Sequence, residues 1–305
     1  MRTFGDDAFN QYMIDAEPIS KVLPASAWSD EIDDYLKNGQ EITGAKLPWG
    51  VTHNNIRFRG GEVTLWQGIN GHGKSQVLGQ AAIGFLGQGE GVCIASFEMK
   101  PVATYFRMLR QAAMTNSPTK EFSDKFVEWM EGKCWIYDHL GSVEIQRVLA
   151  AIRYAAIELN VKHFVIDNMM KCVKGEDDYS GQKHFVDRVC ALSREHNIHV
   201  HLVHHVRKGA SEEAIPGKFD SRGSGTITDQ VDNILTVWRN KSKEAKVRAG
   251  KADEQTLAQG DAIIQCDKHR HGEWEGKIKL WFHPASLQYV ANPSGRPFDM
   301  LEGQL

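Results

Sequence analysis

The chain has no apolar run approaching the roughly 18 residues that a membrane-spanning helix needs. Its start, MRTFGDDAFNQY, places charged and polar residues where a secretory signal carries an apolar core. A spanning helix and a cleaved signal are therefore not expected, and the chain reads as intracellular and cytoplasmic (host cytoplasm if phage-encoded). Cysteine is sparse: Cys93, Cys134, Cys172, Cys190 and Cys266 are far apart, and no two have zinc-motif spacing. That argues against a disulfide framework or a structural zinc. Positive charge is not in excess either, with 36 Lys and Arg against 39 Asp and Glu and a formal net charge of -3. A uniformly basic nucleic-acid surface is excluded. A narrow basic channel is not, because a polyanion responds to local charge. Internal repeats are also absent. The 305 residues, 41% of them hydrophobic, suffice for one large core with a small appendage.

What is present is organised around GINGHGKS, Gly68 to Ser75. A Gly, four free positions and Gly-Lys-Ser form the phosphate-loop pattern. Glu62 to Trp66, rich in β-formers, precedes it, and Gln76 to Gly84 is compatible with a helix. Strand, loop and helix in that order are the context the motif requires. The glycines let successive N–H groups turn toward phosphate oxygens, and the helix adds its positive end. The nucleotide-holding set is Gly68, Asn70, Gly71, His72, Gly73, Lys74, Ser75 and Gln76. Lys74 reaches the β- and γ-phosphates, and Ser75 serves Mg²⁺.

Further strands deliver polar groups at their ends. Val92 to Phe97 ends at Glu98, suited to orient and deprotonate a water; capping the helix that begins near Pro101 is the competing role. Lys162 to Ile166 delivers Asp167, whose carboxylate serves Mg²⁺ through its water shell; capping a helix is the competing role. Ile198 to Val203 leads into His204 and His205. Four histidines between 199 and 205 invite a zinc site, but alternation splits them between two strand faces, and His205 reads instead as a γ-phosphate sensor.

Helices are expected at Asp7 to Met13, Trp28 to Lys37 (Ser29 as a cap), Met99 to Met114, Phe122 to Met130, Val143 to Leu159 and Lys183 to His196. Trp135 to Tyr137 and Ile234 to Trp238 read as strands. Residues 1 to about 50 form a leader, either an irregular strap over the core or a subunit-docking arm. The loop RKGASEEAIPGKFDSRGSG is long for a compact domain. Its Arg207, Lys208, Lys218 and Arg222, with Gly223, Ser224 and Gly225, suit a phosphate backbone; a solvated loop is the alternative. Lys171 and Lys174 sit in another charged loop open to the same two readings. Asn240 to Gly260 reads as an exposed linker. A late hairpin carries Lys268 and Arg270, and the tail beyond Pro284 gives no fold signal except that Leu287 and Tyr289 can tuck back.

Taken together, residues 50 to 292 resemble the RecA-fold motor domain of hexameric replicative helicases, the group containing DnaB, Twinkle and the phage primase-helicases. GINGHGKS, ASFEM (Ala95 to Met99), HFVIDN (His163 to Asn168), LVHHVRK (Leu202 to Lys208), SRGSGTITDQVDN (Ser221 to Asn233) and DKHRHG (Asp267 to Gly272) carry the resemblance. It implies an α/β fold, a RecA-like P-loop NTPase with a mostly parallel sheet flanked by helices, so that residues 51–305 form the ATPase domain behind the leader. It implies ATP and Mg²⁺ as cofactors and a homohexameric ring around single-stranded DNA. A primase, polymerase or loader is the implied partner. Glu98 becomes the catalytic carboxylate, Asp167 the Mg²⁺ aspartate and His205 the sensor. Arg270 becomes a finger inserted into the neighbour's ATP site, Lys268 its γ-phosphate partner, and Arg239 and Phe282 a sandwich for the base.

The implied activity is ATP-driven translocation on single-stranded DNA and duplex unwinding in replication, 5′ to 3′. The departures are the missing helical or primase-type N-terminal domain and the missing cysteine ribbon, so no primase activity is expected. Such a chain is a stand-alone motor or an excised fragment. A filament-forming recombination or repair ATPase and a protein-regulating ATPase of the circadian-clock type are the alternatives. The hairpin of Lys268 and Arg270, with the Arg222 to Gly225 segment, favours the ring.

Overall fold

The computed structural model describes residues 24–38, 43–175, 177–206, 214–217 and 225–305. The expected helix at Asp7 to Met13 lies outside the described residues, as do Arg207, Lys208, Lys218, Arg222, Gly223 and Ser224.

The apolar runs anticipated as strands form one nine-stranded sheet in the order β3-β2-β4-β5-β1-β6-β7-β8-β9. Its parallel part comprises β1 (Val63–Gly68), β2 (Val92–Ser96), β3 (Cys134–Ile136), β4 (His163–Asp167), β5 (His199–His205) and β6 (Asn233–Arg239). β1, β2 and β4 are buried along their whole length. Parallel strands covered on both faces have that character, which is why they read as continuous apolar runs. The strands β7 (Ala262–His269), β8 (Lys277–His283) and β9 (Gln288–Val290) extend the sheet antiparallel. In β7 buried and half-buried residues alternate, as expected toward a sheet edge.

Among the described residues the helices are α1 (Ser29–Asn38), α2 (Lys74–Gly87), α3 (Pro101–Ala113), α4 (Lys120–Met130), α5 (Ile145–Glu158), α6 (Tyr179–Glu195), α7 (Gly225–Gln230), α8 (Lys241–Arg248) and α9 (Glu254–Leu257). On one face of the sheet α2, α3 and α4 contribute Val77, Leu78, Phe85, Met108, Leu109 and Phe126. On the other, α5 and α6 contribute Val148, Leu149, Ile152, Phe185, Val186 and Val189. Each such side chain stabilises the fold by roughly 1.5–3 kcal/mol through burial. Helix starts follow local chemistry: Thr119 Oγ1 accepts from Phe122 N–H at 3.1 Å, Asp178 accepts from Gly181 N–H at 2.9 Å, and Pro101 opens α3.

Three expectations change. Residues 240–260 are largely exposed, as expected, but they are helical rather than a plain linker, forming α8 and α9, started by Asn240 accepting from Lys243 N–H (2.9 Å) and Asp253 accepting from Thr256 N–H (2.7 Å). Lys243 and Thr256 are buried there. Ser29 does not cap α1. A 3₁₀ turn over Ala25–Trp28 leads into the helix, and the Ser29 hydroxyl donates to Ser26 O. The tail is also structured: β9 pairs with β8, and Leu301 is buried. Near the other end, Leu47 and Trp49 are buried, and Trp49 Nε1 donates to Tyr289 O at 2.7 Å. The last residues of the leader thus pack against β9.

Candidate nucleotide site

Because β1, β2, β4, β5 and β6 run the same way, their carboxyl ends gather on one edge of the sheet. That edge is where open α/β sheets place ligands. The phosphate loop follows β1, Glu98 follows β2, Asp167 and His205 end β4 and β5, and Arg239 ends β6. Register fixes the levels: Ser96 lies beside Asp167 and Gly68 beside His205. A cleft of about 240 Å³ opens here.

The loop supplies Asn70, Gly71, Gly73, Lys74, Ser75 and Gln76 to the cleft wall. Gly71 and Gly73 hold positive φ angles of 78° and 87°, which turn the backbone in a way a side chain resists. A Cβ on Gly73 would also lie 2.4 Å from the Tyr289 hydroxyl oxygen. Gly68 and His72 do not line the cleft. They fix the loop from beneath: a Cβ on Gly68 would lie 2.3 Å from Val237 O, and buried His72 accepts from Arg239 N–H through Nδ1 (3.1 Å). Lys74 is buried, and its ammonium donates to Gly68 O (2.8 Å) and Ile69 O (3.1 Å).

Asn168 organises the groups opposite. Its Oδ1 accepts from Met170 N–H, which identifies the amide nitrogen. That nitrogen donates to Glu98 Oε1 and to His205 Nε2, each at 2.9 Å. On the other side of the ring, His205 Nδ1 lies 3.2 Å from the Lys74 ammonium. Both side chains line the cleft. Glu98 is not a helix cap: α3 begins after Lys100 with no side-chain cap, leaving the carboxylate on the cleft wall.

Asp167 is buried, and that burial raises its carboxyl above the ordinary range. The Ser75 hydroxyl hydrogen-bonds it and pulls the other way, Glu98 adds to the rise, and the Lys74 and Arg107 charges oppose it. A hydroxyl and a carboxylate, both hard oxygen donors at the floor of the cleft, fit Mg²⁺.

The far wall combines Arg239, Phe282 and Tyr289. Arg239 is held by Glu244 of α8 through both Nε and Nη2 (the latter 2.9 Å). Phe282 and Tyr289 have ring centroids 5.3 Å apart. Arg107, Asn168, Tyr289 and Glu244 were not among the expected site residues. Arg107 comes from α3, donates to Met99 Sδ at 2.9 Å and lines the cleft. No motif in the sequence marked it.

Lys268 and Arg270 are elsewhere. Asn233 pairs with His269 on one side and with Thr64 on the other, so the hairpin end lies at the amino edge of β1. At about 3.3 Å per residue, the four residues from Thr64 to Gly68 put it well over 10 Å from the subunit's own phosphate loop. Lys268 Nζ donates to Thr228 O, Asp229 O and Val231 O at the end of α7, and Arg270 pairs with Asp232 at 3.1 Å. Of the expected DNA-contacting residues, only Gly225 is described; it is exposed and opens α7.

A phosphate loop after the first strand, with polar strand ends around it on a mostly parallel sheet, defines a nucleotide-binding P-loop domain of RecA-like architecture. The profile of the AAA domain family matches residues 54–211, more than half of the 305 residues, and the chain belongs to that family. It is 25% identical over 268 residues to a Twinkle homolog, chloroplastic/mitochondrial, of Arabidopsis thaliana, covering 79% of this chain and 37% of that protein. It is 24% identical over 215 residues to the DNA helicase/primase of Enterobacteria phage T3, covering 63% of this chain and 38% of that protein. The chain thus spans well under half the length of these relatives. Among solved structures, one isolated ATPase domain superposes with a TM-score of 0.75 at 15% identity, covering 89% of this chain and all of that one. A DnaB-like replicative helicase, solved for its interactions with primase, superposes with a TM-score of 0.68 at 14% identity, over 88% of this chain and 67% of that one. These likenesses establish the fold.

Proposed function

We propose that the chain is the ATP-hydrolysing motor of a ring-shaped replicative DNA helicase that moves on single-stranded DNA, 5′ to 3′, and unwinds the duplex. The observation that carries this is the separation of the hydrolytic groups between two edges of the sheet. Lys74, Ser75, Glu98, Asp167 and His205 surround one cleft, while Lys268 and Arg270 project at the opposite edge. Within one subunit the arginine cannot serve the cleft. In a ring each subunit's arginine meets the next subunit's nucleotide, so hydrolysis depends on assembly.

In the cleft, the loop amides and Lys74 hold the β- and γ-phosphates. Ser75 and Asp167 would hold Mg²⁺, which would supply positive charge to the phosphates. Glu98, oriented by the Asn168 amide, takes the proton of the attacking water. His205 and Arg107, which line the same cleft, would meet the changing charge of the γ-phosphate. Arg239 and Phe282 stack on the base. Arg207, Lys208, Lys218 and Arg222, with Gly223, Ser224 and Gly225, are the residues proposed to contact the DNA backbone, local basic charge that a chain of net charge -3 can supply. The primase interactions for which the DnaB-like helicase was solved make a primase the first partner to test; a polymerase or a loader is next.

Electron microscopy with a non-hydrolysable ATP analogue and single-stranded DNA tests the assembly. Closed rings are expected; helical filaments would indicate a recombination ATPase, and dispersed subunits unresponsive to DNA a regulatory one. Lys74→Ala should abolish turnover. Arg270→Ala should keep nucleotide binding and lose DNA-stimulated turnover by roughly 10³-fold or more. An Arg270→Ala protein with normal turnover would remove the trans arginine from the mechanism.

A further inference from the structure

The amino edge of the sheet contains a carboxylate that the cleft does not use. Asp232, between α7 and β6, has a side chain only 3% exposed. One oxygen, Oδ2, accepts from Val63 N–H at 2.9 Å, at the first residue of β1. The other, Oδ1, faces two guanidinium groups, Arg270 Nη1 at 3.1 Å and Arg194 Nη2 at 3.9 Å, with His271 Nε2 at 4.0 Å. The backbone is pinned as well. Asp232 N–H donates to Val63 O (2.9 Å), and Arg270 N–H donates to Asp232 O (3.0 Å). Arg270 completes its hold through Nη2, which donates to Asp229 O at 2.9 Å, while 36% of its side chain stays exposed.

We propose that Asp232 is a positioning residue for the intersubunit arginine, tying the Arg270 guanidinium to the start of the strand whose other end carries this subunit's own phosphate loop. This rests on Arg270 serving a neighbouring subunit. A guanidinium on a flexible stem has many rotamers, and a buried carboxylate together with a fixed carbonyl selects one of them before the neighbour arrives. A buried carboxylate is tolerated only when paired, so the pair holds from both sides. Arg194 and Lys268 nearby keep the edge from becoming negative, so the arginine still offers positive charge to a phosphate. Because Asp232 grips both Val63 and Arg270, a shift of β1 at one ATP site is carried to the arginine that completes the next.

The test is a double-mutant cycle on the full chain, reading ATP turnover with and without single-stranded oligo-dT. Asp232→Asn keeps an oxygen for Val63 N–H and removes the charge that orients Arg270. It should lower DNA-stimulated kcat on the order of 10–100-fold, the cost of a misplaced group, with KM for ATP unchanged. In the Arg270→Ala background the same change should cost nothing further. Losses that multiply, or an Asp232→Asn protein with full stimulation beside an inactive Arg270→Ala, would overturn the positioning role while leaving the ring motor intact. Full stimulation in Arg270→Ala would overturn both. If Asp232→Asn does not fold, Asp232→Ser, shorter and neutral, takes its place in the same cycle, with the melting temperature recorded for each protein.

Discussion

Gly73 shows how tightly single residues are specified at the cleft. It opens α2 in the left-handed region, and the Tyr289 hydroxyl occupies the place a side chain would take. The Tyr289 ring is buried, and that burial pushes its phenol up to about 12, so the oxygen remains a neutral hydroxyl that cannot retreat. Gly73→Ala should therefore combine the left-handed strain with overpacking of about 1–3 kcal/mol. ATP binding by fluorescence should be lost before the fold is. Tyr289→Phe in the same chain removes the clashing oxygen, and part of the binding should return; no recovery would show that the backbone conformation alone is responsible. The motif made Gly73 readable because its glycines recur at fixed spacing. Tyr289, Asn168, Arg107 and Glu244 were not readable, since each gains its role from a partner on another element. Asn168, for example, matters because β2 and β5 flank β4 and bring Glu98 and His205 to its amide.

Elements were legible where periodicity or a strand-end motif marked them. The parallel strands fall within a few residues of the expected runs. α8 was missed because its composition is charged and its one buried side chain, Lys243, is held by an ion pair with Asp261 at 2.7 Å rather than by an apolar face. The histidine-rich strand β5 also reads differently in context. Trp66 Nε1 donates to His201 Nδ1 (3.1 Å), so His201 donates through Nε2 to His163 Nδ1 (3.1 Å). His199 donates through Nδ1 to Arg59 O (2.7 Å) and accepts the Thr64 hydroxyl at Nε2 (2.8 Å). All three rings are neutral, and Phe85 stacks on His163 at 4.2 Å. Burial lowers all three, His199 to about 3 and His163 and His201 well below the usual value, with neighbouring rings adding to the latter two. Unfolded histidine binds protons near pH 6.5, so the unfolded state gains protons first as pH falls. Stability is complete above about pH 6.5 and declines below it, by up to about 1.4 kcal/mol per pH unit for each neutral ring. Thermal melting should drop between about pH 6.5 and 5, and His163→Gln, which cannot titrate, should flatten that slope. An unchanged slope would mean the decline comes from other groups.

At the scale of the whole molecule, the proposed ring makes the cleft half of a two-subunit site, and α1 offers a surface on which that assembly can be tested. α1 places Trp28, just before it, Ile32 and Leu36 at four-residue spacing, hence on one face. They are 50%, 56% and 78% exposed. Among the described residues nothing covers this apolar face; such a face gains stability by packing on something else, and the proposed ring supplies a second copy. We propose that this face docks on the neighbouring subunit and sets the orientation in which Arg270 meets the next cleft. The strap through Leu47 and Trp49 packs on β9 of its own chain, so the two halves of the leader are assigned different tasks. Trp28→Ser, Ile32→Ser and Leu36→Ser combined should leave the melting temperature of the dilute subunit nearly unchanged, because exposed positions usually contribute within about 0.5 kcal/mol each. Light scattering with ATP analogue should show the ring mass falling toward the single subunit. DNA-stimulated turnover should fall with it, since no arginine then reaches a neighbour, while binding of a labelled nucleotide persists. Rings of unchanged mass would show that core contacts alone assemble the motor and that α1 docks elsewhere.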